Sequence, residues 1–416
     1  MTQAKSNPSA ADQNTVWLAL ALSMGAAISL GVTRFAYGLL LPTMRDDLGW
    51  TYLLAGAMNT ANALGYLLGA LITPRLLTRF APTSILLFGA VLASLFMGLS
   101  GFVTGATPLL LQRLLAGMAS ALVFVCGGLL AVRLAASQPR RSGFLLGLYY
   151  GGTGFGIVLS AWLVPAVLEA AHGRPHGWAW AWWALSLACV AGTALLVWPA
   201  RVLGRAQQVP APVNASPQTA HKTAGQTSER RYQWRDFSFA LSSYFLFGMG
   251  YIGYMTFVIA LIRQQGASPQ QVTLFYSLLG VAVVLSARLW AGLLDHYKGG
   301  QALAILSLLL GFSTIMPALT DVQSIVLASG VLFGAVFLSV VASTTALVRH
   351  NLPQASWAAG ISSFTVVFAA GQIVGPTVTG WISDGPGGLE RGLIFSAAAL
   401  WFGALLAWRQ RPLGAS

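Results

Sequence analysis

The sequence predicts an all-α integral membrane protein with twelve transmembrane helices arranged as two pseudo-symmetric six-helix bundles. Three observations carry that reading. Hydrophobic residues make up 56% of the 416 and charged residues only 8%, against about 25% charge in soluble domains. Twelve apolar runs of about 20 residues follow one another, each long enough to cross a hydrocarbon layer roughly 30 Å thick. The chain also nearly repeats itself at a fixed offset of 217, which puts Gly248, Tyr254, Gly334 and Gly371 onto Gly31, Tyr37, Gly117 and Gly154 without a gap. A unit of that size is too long for a solenoid repeat and reads as half of a two-fold protein. Lipid offers the backbone no hydrogen bonds, so the runs must be helices.

The elements follow in order. A polar tail, 1–15, leads into the first span, 16–42, which is longer than a signal-peptide core and has no small-residue cleavage site, so it is expected to be retained. Spans two to six run 52–72, 83–103, 109–132, 143–167 and 178–197, completing a first bundle at 16–198. The fifth is rich in glycine, and the sixth opens on Trp178, Trp180, Trp182 and Trp183, an expected interfacial belt. From 199 to 235 the composition shifts to Pro, Ala, Gln, Thr and basic residues, the mark of a flexible linker. Spans seven to twelve run 237–262, 272–294, 301–319, 324–348, 358–382 and 392–408, giving a second bundle at 236–408 and a tail at 409–416. Cys126 and Cys189 both fall inside spans, so neither a disulfide framework nor a cysteine metal site is expected.

The cations set an expected orientation. With the N-terminus inside, the cytoplasmic segments hold sixteen of the 23 Lys and Arg residues, the opposite side holds only Arg45, Arg174, Arg263 and Arg391, and Arg34, Arg113 and Arg288 lie within spans. By the positive-inside rule both termini are expected in the cytoplasm, with the protein in the cytoplasmic (inner) membrane. The net charge of +13 is then a matter of topology and needs no nucleic-acid partner. The basic linker is free to meet anionic lipid headgroups.

Several local motifs stand out. Arg113, Gly117 and Ala121 form an Arg-x-x-x-Gly-x-x-x-Ala pattern in the fourth span. The loop after the second span keeps Arg79, and the loop after the eighth keeps Asp295. Gly371, Gly375, Pro376 and Gly380 punctuate the eleventh span, while the fifth carries Gly147, Gly151, Gly152, Gly154 and Gly156 without the proline. With the twelve spans, the parallel repeat and the basic linker, these features resemble the major facilitator superfamily of transporters over 16–408. The run Gly31-Val-Thr-Arg34-Phe-Ala-Tyr37-Gly38 is similar to its YbfB/YjiJ branch. The resemblance implies two bundles rocking about a midplane site. It implies a conformational latch at Arg79 and Asp295, with Arg288, a turn or two before Asp295, expected to pair with it. Gly117, Gly147, Gly151, Gly371, Gly375 and Pro376 are expected to serve close helix packing.

The chemistry must come from rare polar groups inside the membrane, where an ionisable side chain costs at least about 2.5 to 3.5 kcal/mol. Arg34 lies about 12 Å and Arg113 about 8 Å below the outer surface at 1.5 Å per residue, so they share a level. All ten acids fall in loops or at helix ends. If both guanidiniums face the central cavity, as the resemblance suggests for the first and fourth helices, an oxyanion accepting bidentate hydrogen bonds would relieve their repulsion. At the repeat offset Tyr251 replaces Arg34 and Gly330 replaces Arg113, which confines charge to the first half. Arg34, Tyr37, Arg113, Tyr251, Tyr254 and Gln372 are therefore the expected substrate-binding residues. Two other roles stay open, with Arg113 bonding carbonyls of the first helix, and Arg34 snorkelling outward or pairing with Asp46 or Asp47.

These readings point to a transporter of a small solute, with an organic anion such as a carboxylate as expected cargo. An exporter of neutral or hydrophobic compounds and a receptor-like or scaffold protein of the same fold are the alternatives. No metal-ligand spacing, Ser–His pairing or nucleotide loop argues for an enzyme, and no cofactor is expected. The expected partners are the substrate, the lipid bilayer and a coupling ion, either a proton or a counter-anion, with the protein working as a monomer.

Overall fold

The structure, a computed structural model, describes residues 10–138, 141–208, 232–353 and 356–413. Among these every regular element is a helix. The first bundle comprises α1 (Ala10–Ala26), a π-helical turn (Ala27–Val32), α2 (Tyr37–Leu48), α3 (Tyr52–Leu77), α4 (Pro82–Ser100), α5 (Ala106–Ala136), α6 (Ser142–Ala170) and α7 (Trp178–Gln208). A short 3₁₀ turn (Trp234–Phe237) opens the second, which continues with α8 (Ser238–Gln264), α9 (Pro269–Leu289), α10 (Ala291–His296), α11 (Gln301–Leu319), α12 (Gln323–Asn351), α13 (Trp357–Ser383) and α14 (Gly388–Arg409). Eleven spans are long and apolar enough to cross a membrane on their own. The twelfth, α3, has 26 residues, but Asn59, Thr60, Asn62 and Thr73 dilute it. Those groups are absorbed by packing, since α3 is wedged between α5 of its own bundle and α13 of the other.

The repeat returns as contacts. A methyl group on Gly117 would collide with the Asn62 carbonyl, and one on Gly334 with the Leu279 carbonyl; both partners are related by the same offset of 217. These are positions where two helix backbones touch, which only glycine permits. Gly371 and Gly375 lie equally close to the Phe245 and Met249 carbonyls of α8, and the Pro376 carbonyl lies against Gly56. In α6 the tight approaches are made by Gly152, Gly154 and Gly156; Gly151 has ordinary contact distance to Val284, at 3.7 Å, and Gly147 is half-buried.

Four features depart from expectation. The first span is broken at Ala27–Val32 and through 33–36, where Thr33 and Phe35 N–H groups reach back five residues to Ile28 and Leu30. Helix α7 continues through Pro199 to Gln208, past the expected bundle boundary at 198; residues 209–231 of the expected linker lie outside the described residues. The eighth span breaks at Trp290, whose indole donates to the Ala335 carbonyl at 2.8 Å. That break separates Arg288 from Asp295. The expected ion pair is absent among the described residues, because Arg288 turns to lie 5.3 Å from the ring of Phe144 on α6, and Asp295 is exposed. Arg79 is exposed as well.

The bundles join along α3 against α13, α6 against α9 and α2 against α8. Cross-bundle hydrogen bonds gather from mid-height to the end remote from the chain termini, here called the distal end. The Thr60 hydroxyl donates to the Ile373 carbonyl at 2.6 Å, and Asp384 accepts from the backbone N–H groups of Tyr52 and Leu53 at 2.7 and 2.8 Å. Towards the terminal end the fastening thins. Helix α10 has no buried residue, and a methyl group on Gly143 or Gly292 would meet nothing.

Candidate functional site

The break in the first span positions the site. Irregular backbone inside a membrane protein must find partners within the protein, and here carbonyls of the broken stretch accept from side chains of both bundles, with the Phe35 carbonyl also taking the Gly38 N–H at 3.2 Å. Arg113 of α5 donates to the Thr33 carbonyl at 2.9 Å, and the Tyr276 hydroxyl of α9 donates to the Phe35 carbonyl at 2.8 Å. Between them Arg34, 3% exposed, leaves the first bundle and donates to the side-chain oxygen of Gln372 on α13. Its guanidinium also lies 5.7 Å from the Tyr66 ring of α3.

Beside this contact stands a stack of rings in the second bundle. Tyr251 packs nearly parallel to Phe247, Phe368 and Phe337, with centroids 5.0, 5.6 and 6.0 Å away. Phe337 in turn meets Phe35 edge-on at 6.0 Å across the bundle boundary. A cation and an aromatic ladder thus face each other where the two halves join. Parallel rings at this spacing suit a further ring far better than a charged aliphatic chain.

Arg113 lies elsewhere. At 2% exposure it is enclosed by the first bundle, bonded to Thr33 and, at 3.2 Å, to the Asn59 side-chain oxygen, with the Tyr37 ring 5.0 Å and the Trp182 ring 5.6 Å away. Its Nε has no partner among the described residues. Tyr37 donates to the Ala55 carbonyl at 2.9 Å and belongs to the same packing. Tyr254 stacks on Phe333 at 4.2 Å and bonds Ser329 at 2.6 Å inside the second bundle. Of the six residues singled out from sequence, then, Arg34, Gln372 and Tyr251 are brought together at the junction, while Arg113, Tyr37 and Tyr254 hold the interiors of their own bundles.

Sequence reasoning passed over Asn59, Tyr66 and Phe368. Asn59 accepts from Arg113 and donates to Thr256 of α8 at 2.7 Å, so it links the arginine of one bundle to the other. A scan restricted to ionisable groups does not see it. Two amides one turn apart in an apolar span, Asn59 and Asn62, were the available signal.

An all-helical twofold bundle with irregular backbone at mid-height and a buried cation between its halves defines a multi-pass membrane transporter of the major facilitator type. The chain belongs to the family described as "Uncharacterised MFS-type transporter YbfB", whose profile matches residues 26–408. It is 26% identical over 399 residues to a gallate transporter of Pseudomonas putida, a match covering 87% of this chain and 85% of that protein. Among solved structures, it is similar to a bacterial homologue of the human lysosomal transporter Spinster, inward-facing and unoccupied, at TM-score 0.65 and 15% identity over 96% and 97% of the two chains. The nucleoside transporter NupG matches at TM-score 0.65 and 15% identity, over 96% and 99%. At these identities the likeness to solved structures is one of fold.

Proposed function

We propose that this transporter carries a small aromatic carboxylate across the cytoplasmic membrane by alternating access, with both termini in the cytoplasm and the monomer as the working unit. The observation that carries the reading is Arg34, a buried guanidinium at the junction of the bundles whose side-chain partner is the neutral Gln372, beside the ring stack of Phe247, Tyr251 and Phe368. A carboxylate accepts two hydrogen bonds from a guanidinium and cancels its charge, so it competes well against an amide oxygen. A ring attached to that carboxylate would reach the stack. Gallate, the cargo named for the Pseudomonas putida relative, is itself an aromatic carboxylate.

The mechanism follows from the two-fold build. Cargo entering the junction displaces Gln372 from Arg34, replaces one cross-bundle contact with a bridge of its own and lets the bundles rock about it. Every acid among the described residues lies in a loop or near a helix end, so a coupling proton would act at a helix end or on the cargo itself, and exchange against a second anion is the other route.

The test is thermal shift of the purified protein with benzoate, hydroxybenzoates, aliphatic carboxylates and neutral aromatics, repeated on Arg34→Gln. A ligand that binds only the folded state raises its stability according to concentration over affinity. Stabilisation by aromatic carboxylates that disappears in Arg34→Gln supports the reading. Stabilisation by neutral aromatics alone, unchanged in the variant, overturns it in favour of an exporter of hydrophobic compounds.

A further inference from the structure

The two bundles start equivalent helices in different ways, and the difference falls at the distal gate. In the second bundle α9 is capped from within. Ser268 and Gln271 form a reciprocal capping box, and Pro269 at the first helical position has no N–H to satisfy. The equivalent start in the first bundle, at the offset of 217, reads Thr51, Tyr52 and Leu54. Thr51 caps the Leu54 N–H at 3.2 Å, but Leu54 cannot return the bond and Tyr52 has an N–H where Pro269 has none. The two N–H groups left over, those of Tyr52 and Leu53, are both taken by Asp384 at the end of α13, one by each carboxylate oxygen, at 2.7 and 2.8 Å. The position equivalent to Asp384 in the first bundle is Val167. The start of α9 is thus capped by groups of its own bundle, whereas the start of α3 also takes a carboxylate from the other.

Everything around Tyr52 fastens the same joint. A methyl group on Gly380 would collide with the Tyr52 carbonyl. Gln264 of α8 donates to the Tyr52 hydroxyl at 2.6 Å, and the Arg45 guanidinium from α2 lies over its ring at 3.9 Å. The charged groups on the surrounding elements are Arg45 and Asp46 of α2, which pair with each other at 3.1 Å, Asp47 of α2, which is bonded to His176 and the Trp178 indole at 2.6 Å each, Arg263 of α8, and Glu390 and Arg391 of α14, with Arg391 bonded to the Pro386 carbonyl. No basic side chain is bonded to Asp384 among the described residues; its described partners are the two amides.

Two N–H donors, one on each carboxylate oxygen, favour the ionised form of Asp384. Protonation turns one of those oxygens into an O–H donor and a poorer acceptor, which weakens the bond it takes from the backbone. We propose that Asp384 is the proton-binding residue of the distal gate. Ionised, it holds α3 to α13 and keeps that side shut; protonated, it lets the helices part. This supplies a proton-coupling group outside the membrane core and rests on the alternating-access reading above. By linkage, protons favour the state that does not need the ionised group, so acid on the distal side favours opening.

The test reads the gate without cargo. Cys126 and Cys189, both free and buried, are replaced by Ala, and spin labels are placed at Thr107 and Ser324, exposed residues at the distal starts of α5 and α12 related by the same offset. Distances between the labels are measured by pulsed electron resonance in nanodiscs at about pH 7 and about pH 3, on either side of the ordinary aspartate value of about 3.9. Wild type is expected to shift to longer distances at the lower pH. Asp384→Asn should show the longer distances at both, and Asp384→Glu, which keeps a titratable carboxyl, should retain the response. A wild-type response that persists unchanged in Asp384→Asn overturns the assignment, as does the absence of any response in wild type. If acid opens the gate but no variant binds benzoate, the cargo reading falls and the gate stands. If benzoate is transported and the distances ignore pH, the gate falls and the cargo stands.

Discussion

Arg34 on the broken first span and Gln372 on α13 are bonded side chain to side chain across the bundle boundary. A buried cation held by a neutral amide has no counter-charge from that partner, and in the aromatic-carboxylate reading proposed above Gln372 stands where the cargo carboxylate would bind. Gln372→Glu supplies that charge from within. The expected outcome is a protein with a higher melting temperature that no longer responds to benzoate, checked by thermal shift. A variant still stabilised by benzoate would show that Gln372 does not stand in for the cargo.

Arg113 gives the opposite result. Its planar fork spans the Thr33 carbonyl and the Asn59 oxygen, a geometry that lysine does not reproduce. Arg113→Lys should lower stability by about 1.5 to 3 kcal/mol, the scale of a hydrogen bond to a charged group. Benzoate affinity of the folded fraction should change little. Chemical denaturation and a binding titration separate the two effects.

Phe368 closes the ring stack against Phe247 and Tyr251, at 5.4 and 5.6 Å. Phe368→Leu keeps most of the volume and removes the aromatic face, worth about 0.5 to 1.5 kcal/mol per pair. Affinity for benzoate is expected to fall roughly 2- to 10-fold on that scale, with aliphatic carboxylates unaffected. Competition binding with the two classes of ligand decides it.

Gly117→Ala and Gly334→Ala test the repeat itself. Each methyl meets a backbone carbonyl on the neighbouring helix, of Asn62 in one bundle and Leu279 in the other. Each should destabilise by about 1 to 3 kcal/mol, the usual cost of overpacking. A large effect at one site and none at the other would mean that the equivalence is in sequence alone.

The glycines made the architecture legible. Gly31, Gly117, Gly248 and Gly334 sit where helix backbones touch, so the duplicated contacts left a duplicated residue pattern. The break at 27–36 left no such trace. It depends on Arg113 and Tyr276 capturing carbonyls from 80 and 241 residues away, and no local propensity encodes that. Counting charges found Arg34 and Arg113 but could not tell which faced the junction, since both lie in equally apolar surroundings. The expected Arg288–Asp295 pair assumed one continuous helix, and Trp290 interrupts it. Asp384 looked like one more acid at a helix end; its role became visible only with Tyr52 and Leu53 opposite it.

The carbonyls of Thr33 and Phe35, two residues apart, are held by opposite bundles, the first by Arg113 and the second by Tyr276. If the halves turn against each other as proposed above, one of these tethers would travel with the chain and the other would pull away from it. The short stretch between them would then work like a differential gear, converting relative rotation of two large bodies into a tilt of the one side chain mounted between the tethers, Arg34. The grip on a cargo at the junction would thereby be geared to the angle between the bundles.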